Sequence, residues 1–221
     1  MAQRPRTTFD RSFADVQRDV LALGEAVDAG IARSLESLTR RDVDLAQQVI
    51  RDDEAINNLR FRVEEACLAL IATQQPTATD LRLVIAAMSI VVDMERMGDH
   101  ATGIAKTVVR MGDEPFVKPL QDIPRMADLS REMLRESLQA FLRRDAAKAR
   151  EIAARDDEVD HLYKAVFDEL VAIMAHDPSA VAGSTYLLWC AHNLERIGDR
   201  VTNIAERVVF VSTGDMRELN D

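Results

Sequence analysis

Apolar residues recur at intervals of three and four along almost the whole chain, the spacing that puts them on one face of an α-helix. Over residues 9–39 the stripe is Phe13, Val16, Val20, Leu23, Val27, Ile31, Leu35 and Leu38, after a basic, polar stretch at 1–8 that reads as a loose arm. A second helix is predicted over 42–73, with Asp42 as its N-cap and Leu45, Val49, Ile56, Leu59, Val63 and Leu70 as its stripe. Gln74-Gln75-Pro76 ends it, and Thr77 or Thr79 starts a third helix running to Met111. The period is lost over 112–119, where Gly112, Pro115 and Pro119 supply turn chemistry. The cycle then repeats, with helices predicted over 120–142, 145–176 and 179–211. Long helices joined by short turns bury their stripes against one another. The expected fold is all-α: two tandem, pseudo-symmetric three-helix bundles, 1–114 and 115–221, built from six long antiparallel helices.

The repeat extends to particular residues. Glu95-Arg96-Met97-Gly98-Asp99 returns one hundred positions later as Glu195-Arg196-Ile197-Gly198-Asp199, and Ala101-Thr102-Gly103-Ile104-Ala105 returns as Val201-Thr202-Asn203-Ile204-Ala205. In the middle helices Asp53-x-x-Ile56-Asn57-x-Leu59 answers to Asp156-x-x-Val159-Asp160-x-Leu162. Residues four apart stand one turn apart on the same helix face. Acidic pairs at that spacing are expected by chance with 38 acidic residues among 221; the information lies in the whole string and its recurrence. At 100° per residue, Leu81, Ile85, Met88 and Val92 share a stripe within roughly 40° of its mean, and Glu95 and Asp99 continue it. This predicts that the first pair lies on the packed face of its helix. Glu195 falls beside Leu188 and Ala191 with Asp199 turned further out, which predicts a rim position for the second pair. The pairs in the middle helices fall beside their stripes, at the edge where a neighbouring helix approaches.

Composition narrows the function. A net charge of -10 and a pI near 5.0 work against a nucleic-acid footprint and suit cations or basic partner patches. Cys67 and Cys190 lack metal-ligand spacing and lie in apolar helical contexts, so buried free thiols and a reducing cytosol are expected. The first ten residues contain no apolar signal core, and the apolar run over 83–92 is broken by Ser89 and too short to span a bilayer. The expectation is a cytoplasmic protein that meets membranes only through partners.

Carboxylates four apart on adjacent helices offer hard oxygen donors to iron, manganese, magnesium, calcium or zinc. A ferritin-like di-iron centre is disfavoured, since its Glu-x-x-His pair is absent from the strings. Arg96 and Arg196 offer a competing use, bridging the acids of their own strings, with Arg96 three residues from both Asp93 and Asp99. Gly98 and Gly198 each cost roughly 1 kcal/mol in a helix interior, which argues for close helix approach first and room for a ligand second. No nucleophile with its base and no Gly-rich phosphate loop is present, so no enzyme activity is expected.

These strings, with Thr79-Asp80-Leu81-Arg82, Asp93-Met94 before the first copy, Asn193-Leu194 before the second, and the 156–160 acidic run, resemble the PhoU family over residues 9–214. The resemblance implies a homodimeric cytoplasmic negative regulator of the phosphate-starvation response and of phosphate uptake. Such a protein connects the PstSCAB phosphate importer, chiefly its PstB-type ATPase, to a PhoR-type histidine kinase. It also implies multinuclear iron or another metal on acidic i,i+4 motifs. Carried over by position, the ligand candidates are Glu95, Asp99, Glu195, Asp199, Asp156, Asp160 and Asp53, with Asn57 departing from the acidic form and weakening the first site. The alternative is a carboxylate-rich bundle that handles metal itself, as a store or an oxidase.

Overall fold

The computed structural model describes residues 6–112, 114–214 and 219. It is all-α, with α1 (Arg6–Arg40), α2 (Val43–Gln74) and α3 (Ala78–Met111) in the first unit. The second unit holds α4 (Asp122–Arg143), α5 (Ala146–Ala153), α6 (Asp156–His176) and α7 (Val181–Thr213), the last entered through a 3-10 turn at Pro178–Ala180. Of the stretch read as a loose arm, residues 1–5 lie outside the described residues, and 6–8 already belong to α1.

Local chemistry sets the ends. Asp42 is the N-cap of α2 and accepts from the Leu45 N–H at 2.9 Å, and Asp145 does the same for α5 through Lys148 N–H at 3.0 Å. Replacing Asp42 by Ala should cost about 1 kcal/mol of stability, read as a lowered midpoint in urea melts followed by circular dichroism. Thr77 occupies the N-cap place of α3, but its side chain makes no capping bond. Gln75 closes α2 in the left-handed conformation (φ 47°), with Pro76 barring continuation.

One predicted rod is interrupted. The helix expected over 145–176 breaks at Ala154 and Arg155, where Arg155 N–H bonds Ile152 and Glu158 N–H bonds Arg155, three residues back rather than four. The break coincides with the Arg155 guanidinium gripping Glu132 and Glu136 of α4 at 2.9 and 3.2 Å.

α3 and α7 form an antiparallel central pair, with α1 and α2 packed on α3 and α4 to α6 packed on α7. A continuous apolar core runs through both units, and Cys67 and Cys190 are buried free thiols within it. The seam between the central helices is itself quasi-symmetric. Asp93 accepts from Arg200 (3.3 Å) and Asn203 (3.0 Å), while at the equivalent place His100 Nδ1 meets Asn193 Oδ1 at 3.0 Å. α1 and α4 are clamped by a two-point pair, Arg131 Nε and Nη2 donating to Asp28 at 2.9 and 3.1 Å.

The stripe of Leu81, Ile85, Met88 and Val92, expected to be packed, is instead the open margin of α3: Ile85 and Val92 are exposed and the other two half-buried. The buried face runs through Leu83, Ile90, Met94 and Met97. α3 is apolar over a wide arc, and the period shows which residues share an azimuth without showing which azimuth faces inward.

Candidate functional site

The duplicated acids gather into two clusters, one where α2 meets α3 and one where α6 meets α7. Each is built around a glycine that lets the helices close. A Cβ on Gly198 would stand 2.7 Å from Asp156 Oδ1 and 3.3 Å from Val159 Cγ1. A Cβ on Gly98 would stand 3.1 and 3.2 Å from Ile56 carbons and 3.6 Å from Asp53 Oδ1. Both glycines therefore serve close approach, and each presents its helix to the aspartate that opens the partner motif.

In the second cluster Asp156 is buried and accepts from the Thr202 hydroxyl at 3.1 Å. Glu195 has a side chain 12% exposed, and Arg196 spans it and Asp199, with Nε 2.9 Å from Glu195 Oε2 and Nη1 2.9 Å from Asp199 Oδ2. His192 Nδ1 lies 3.4 Å from Glu195. Burial, reinforced by Asp160, Asp199 and Glu195, pushes the Asp156 carboxyl up to about 6. Asp160 is raised by burial and by Asp199, and Glu195 by burial and by Asp199, with Arg196 opposing both. Four carboxylates, Asp156, Asp160, Glu195 and Asp199, thus stand around one guanidinium, that of Arg196, with the His192 ring at the edge.

The first cluster is better compensated. Asp53 accepts from Thr102 (3.2 Å) and from Asn57 Nδ2 (3.3 Å). Glu95 lies 3.8 Å from Arg60 and 3.7 Å from Arg96, and Arg96 also reaches Asp99 at 3.4 Å. Three carboxylates here face two arginines, Arg96 and Arg60, the latter shared with Glu64 at 3.4 Å. Glu95 is still raised, mainly by burial and then by Asp99.

Three details differ from expectation. Neither Glu-x-x-x-Asp pair is wholly packed or looser than the other: the Glu is largely covered in both, and the Asp is open, 45% for Asp99 and 36% for Asp199. Arg96 pairs within its own string rather than with Asp93, which belongs to the α3–α7 seam. His192, which the repeated acidic strings do not include, sits against the second cluster. Thr102 and Thr202, which bond Asp53 and Asp156, lie inside the repeated tails, whereas Arg60, beside Glu95, belongs to no repeated string.

The donor set consists of oxygens, and four carboxylates crowd the second cluster around Arg196, so the residues fit a hard cation. Among the described residues no three His, Cys, Asp or Glu side chains converge closely enough to hold one ion. The acids turn instead toward Arg96 and Arg196, and a cation would have to compete with these guanidiniums.

An all-helical protein with a duplicated acidic helix-pair motif is thereby defined, and comparison with known proteins identifies the kind. The PhoU domain model matches residues 20–108 and again 123–208. The chain is 37% identical to the phosphate-specific transport system accessory protein PhoU homolog of Clostridium acetobutylicum, covering 98% of this chain and 99% of that one. It is 36% identical to the corresponding homolog of Caulobacter vibrioides, covering 97% and 94%. The crystal structure of the phosphate transport system regulatory protein PhoU from Streptococcus pneumoniae superposes with a TM-score of 0.89 at 34% identity, covering 95% of this chain and 99% of that chain. That of PhoU from Pseudomonas aeruginosa gives 0.89 at 35%, covering 94% and 100%. The chain belongs to the PhoU family.

Proposed function

We propose that this protein is a cytoplasmic negative regulator of the phosphate-starvation response and of phosphate uptake, a non-enzymatic adaptor between a PstB-type importer ATPase and a PhoR-type histidine kinase. The observation that carries the reading is kinship over essentially the full length to proteins named as accessory to phosphate-specific transport. No helix among the described residues is long and apolar enough to cross a membrane, so membrane contact on this reading comes through the transporter. The units 1–114 and 115–221 act as two copies of one module, and the working form is a homodimer.

Metal is part of the proposal. Asp156, Asp160, Glu195 and Asp199 would hold iron or another hard divalent cation (manganese, magnesium, calcium or zinc) more tightly than Asp53, Glu95 and Asp99. Asn57 and Arg60 subtract negative charge from the latter group. A bound cation would relieve the mutual repulsion of the acids and tie the middle helix of each unit to its central helix. Nothing specific favours a store or oxidase over an adaptor.

A strain lacking the gene should express its phosphate-starvation genes in phosphate-rich medium and regain repression with the wild-type gene; normal repression in the deletion strain would overturn the regulatory reading. Complementation with Glu195→Gln and Asp199→Asn together, at wild-type protein level, should fail to repress. Full repression by that variant would remove metal from the mechanism while leaving the adaptor standing.

A further inference from the structure

The turn between the first two helices of each unit is duplicated as well. Arg40-Arg41-Asp42 returns 103 positions later as Arg143-Arg144-Asp145. Arg41 and Arg144 both take the left-handed conformation (φ 54° and 56°), and Asp42 and Asp145 both cap the helix that follows. The two copies differ in charge. In the first unit Arg40 is held at 2.6 Å by Glu36, one turn back on α1. In the second, the same register puts Gln139 in the place of Glu36, so Arg143 has lost its carboxylate. Two cations join it, since Ala32 is matched by Arg135 and Leu45 by Lys148. One acid enters too, Glu136 for Arg33, and it is taken up by Lys148 at 3.0 Å and Arg155 at 3.2 Å.

These residues frame a hollow of about 360 Å³ between α4 and α5. Arg135, Gln139 and Arg143 line it from α4 at i, i+4 and i+8, and Lys148 lines it from α5. Asp145, on its rim, is occupied in capping α5. Glu25 of α1 borders the adjoining hollow without reaching Arg135. Arg135 and Arg143 are exposed, and among the described residues their guanidiniums make no ion pair or hydrogen bond. In a chain with a net charge of -10, the acids surround other cations and leave these two open.

We propose that this hollow binds a diphosphate group, free or carried on a nucleoside, with Arg135 and Arg143 donating to its two ends and the Gln139 amide between them. A guanidinium presents paired N–H donors that match phosphoryl oxygens. Residues eight apart stand about 12 Å apart along a helix axis, so two arginines leaning together suit an anion with two charged ends better than a single phosphate or sulfate. A broad acidic protein surface laid over the turn is a poorer occupant, because it would also press on Glu136, Asp145 and Glu151. The inference goes beyond the regulatory reading and depends neither on it nor on metal.

The test is calorimetric titration of the full, metal-free chain with sodium pyrophosphate at physiological salt, where saturable binding with a Kd below about 1 mM is expected. Arg135→Gln and Arg143→Gln should each weaken binding at least about fivefold. Gln139→Glu, which rebuilds the carboxylate–arginine pair of the first unit, should weaken it as much as Arg143→Gln does. Arg40→Gln, at the equivalent turn, should change it less than about twofold. All four side chains are exposed, so melts of the variants followed by circular dichroism should overlay that of the wild type. Tighter binding of ADP than of pyrophosphate would place a nucleoside on the ligand, and equal or weaker binding would assign the site to the free diphosphate. Three results would each overturn the proposal. They are absence of pyrophosphate binding, sulfate or citrate binding as tightly as pyrophosphate, and a loss from Arg40→Gln equal to that from Arg143→Gln, which would reveal charge attraction without a site. Undiminished binding to Gln139→Glu would refute it as well, since the hollow would then not depend on the open Arg143.

Discussion

Metal-free protein should lose stability as the pH rises from about 4 to about 6, and Asp156→Asn should remove most of that slope. The sign follows from linkage. Asp156 titrates at about 6 in the folded protein and near the ordinary value of about 3.9 when unfolded. Between those values the native state holds more protons than the unfolded state, so stability falls with rising pH; above about 6 the penalty is complete, and below about 4 it is absent. At 1.36 kcal/mol per unit the ceiling is about 3 kcal/mol, and relaxation at the cluster should bring the observed effect to about 1–2 kcal/mol. Asp160, Glu195 and Glu95 are raised in the same direction and add to the slope. Asn at position 156 keeps an acceptor for Thr202 without the charge, so at pH 7.5 the variant should be the more stable protein without metal. Manganese added at pH 7.5 should raise the midpoint of the wild type more than that of the variant. Urea melts from pH 4 to 8, with the variant subtracted from the wild type, measure the effect; a difference constant with pH would show that Asp156 is not held against its charge.

How much of this cluster was legible beforehand depends on which forces are local. Helix ends at Asp42, Gln75 and Gly112 follow from capping and turn residues within a few positions, so they could be read directly. The duplicated Glu-Arg-x-Gly-Asp strings could be read too, as could the offset aspartates, because copying leaves a trace in spacing. Arg60 could not, since its contact with Glu95 depends on how α2 lies on α3. Ala154 and Arg155 carry no breaker, and the interruption there accompanies Arg155 reaching α4. The misread stripe on α3 has a related cause: Val92 and Ile90 are both apolar, and only tertiary packing decides that Ile90 is buried and Val92 exposed.

The glycines at the centre of the two clusters should respond differently to the same added methyl group. In an unconstrained helix interior Gly→Ala gains roughly 1 kcal/mol. At Gly98 the new Cβ meets Ile56 carbons at 3.1 and 3.2 Å, a contact that a small side-chain adjustment relieves, so Gly98→Ala should fall within about 1 kcal/mol of wild type. At Gly198 it meets the buried Asp156 Oδ1 at 2.7 Å with Val159 Cγ1 at 3.3 Å, and the same carboxylate is tied through its other oxygen to Thr202. Gly198→Ala should therefore destabilise the protein by about 1–3 kcal/mol despite the propensity gain. The origin of the cost can be isolated by a double-mutant cycle: in an Asp156→Ala background the clash is gone, and the same Gly198→Ala change should cost at least about 1 kcal/mol less. Equal costs at positions 98 and 198, or a cost at 198 that survives removal of the Asp156 carboxylate, would mean that the helix approach does not depend on that aspartate. The reason for a repeated glycine would then lie elsewhere in the α6–α7 contact.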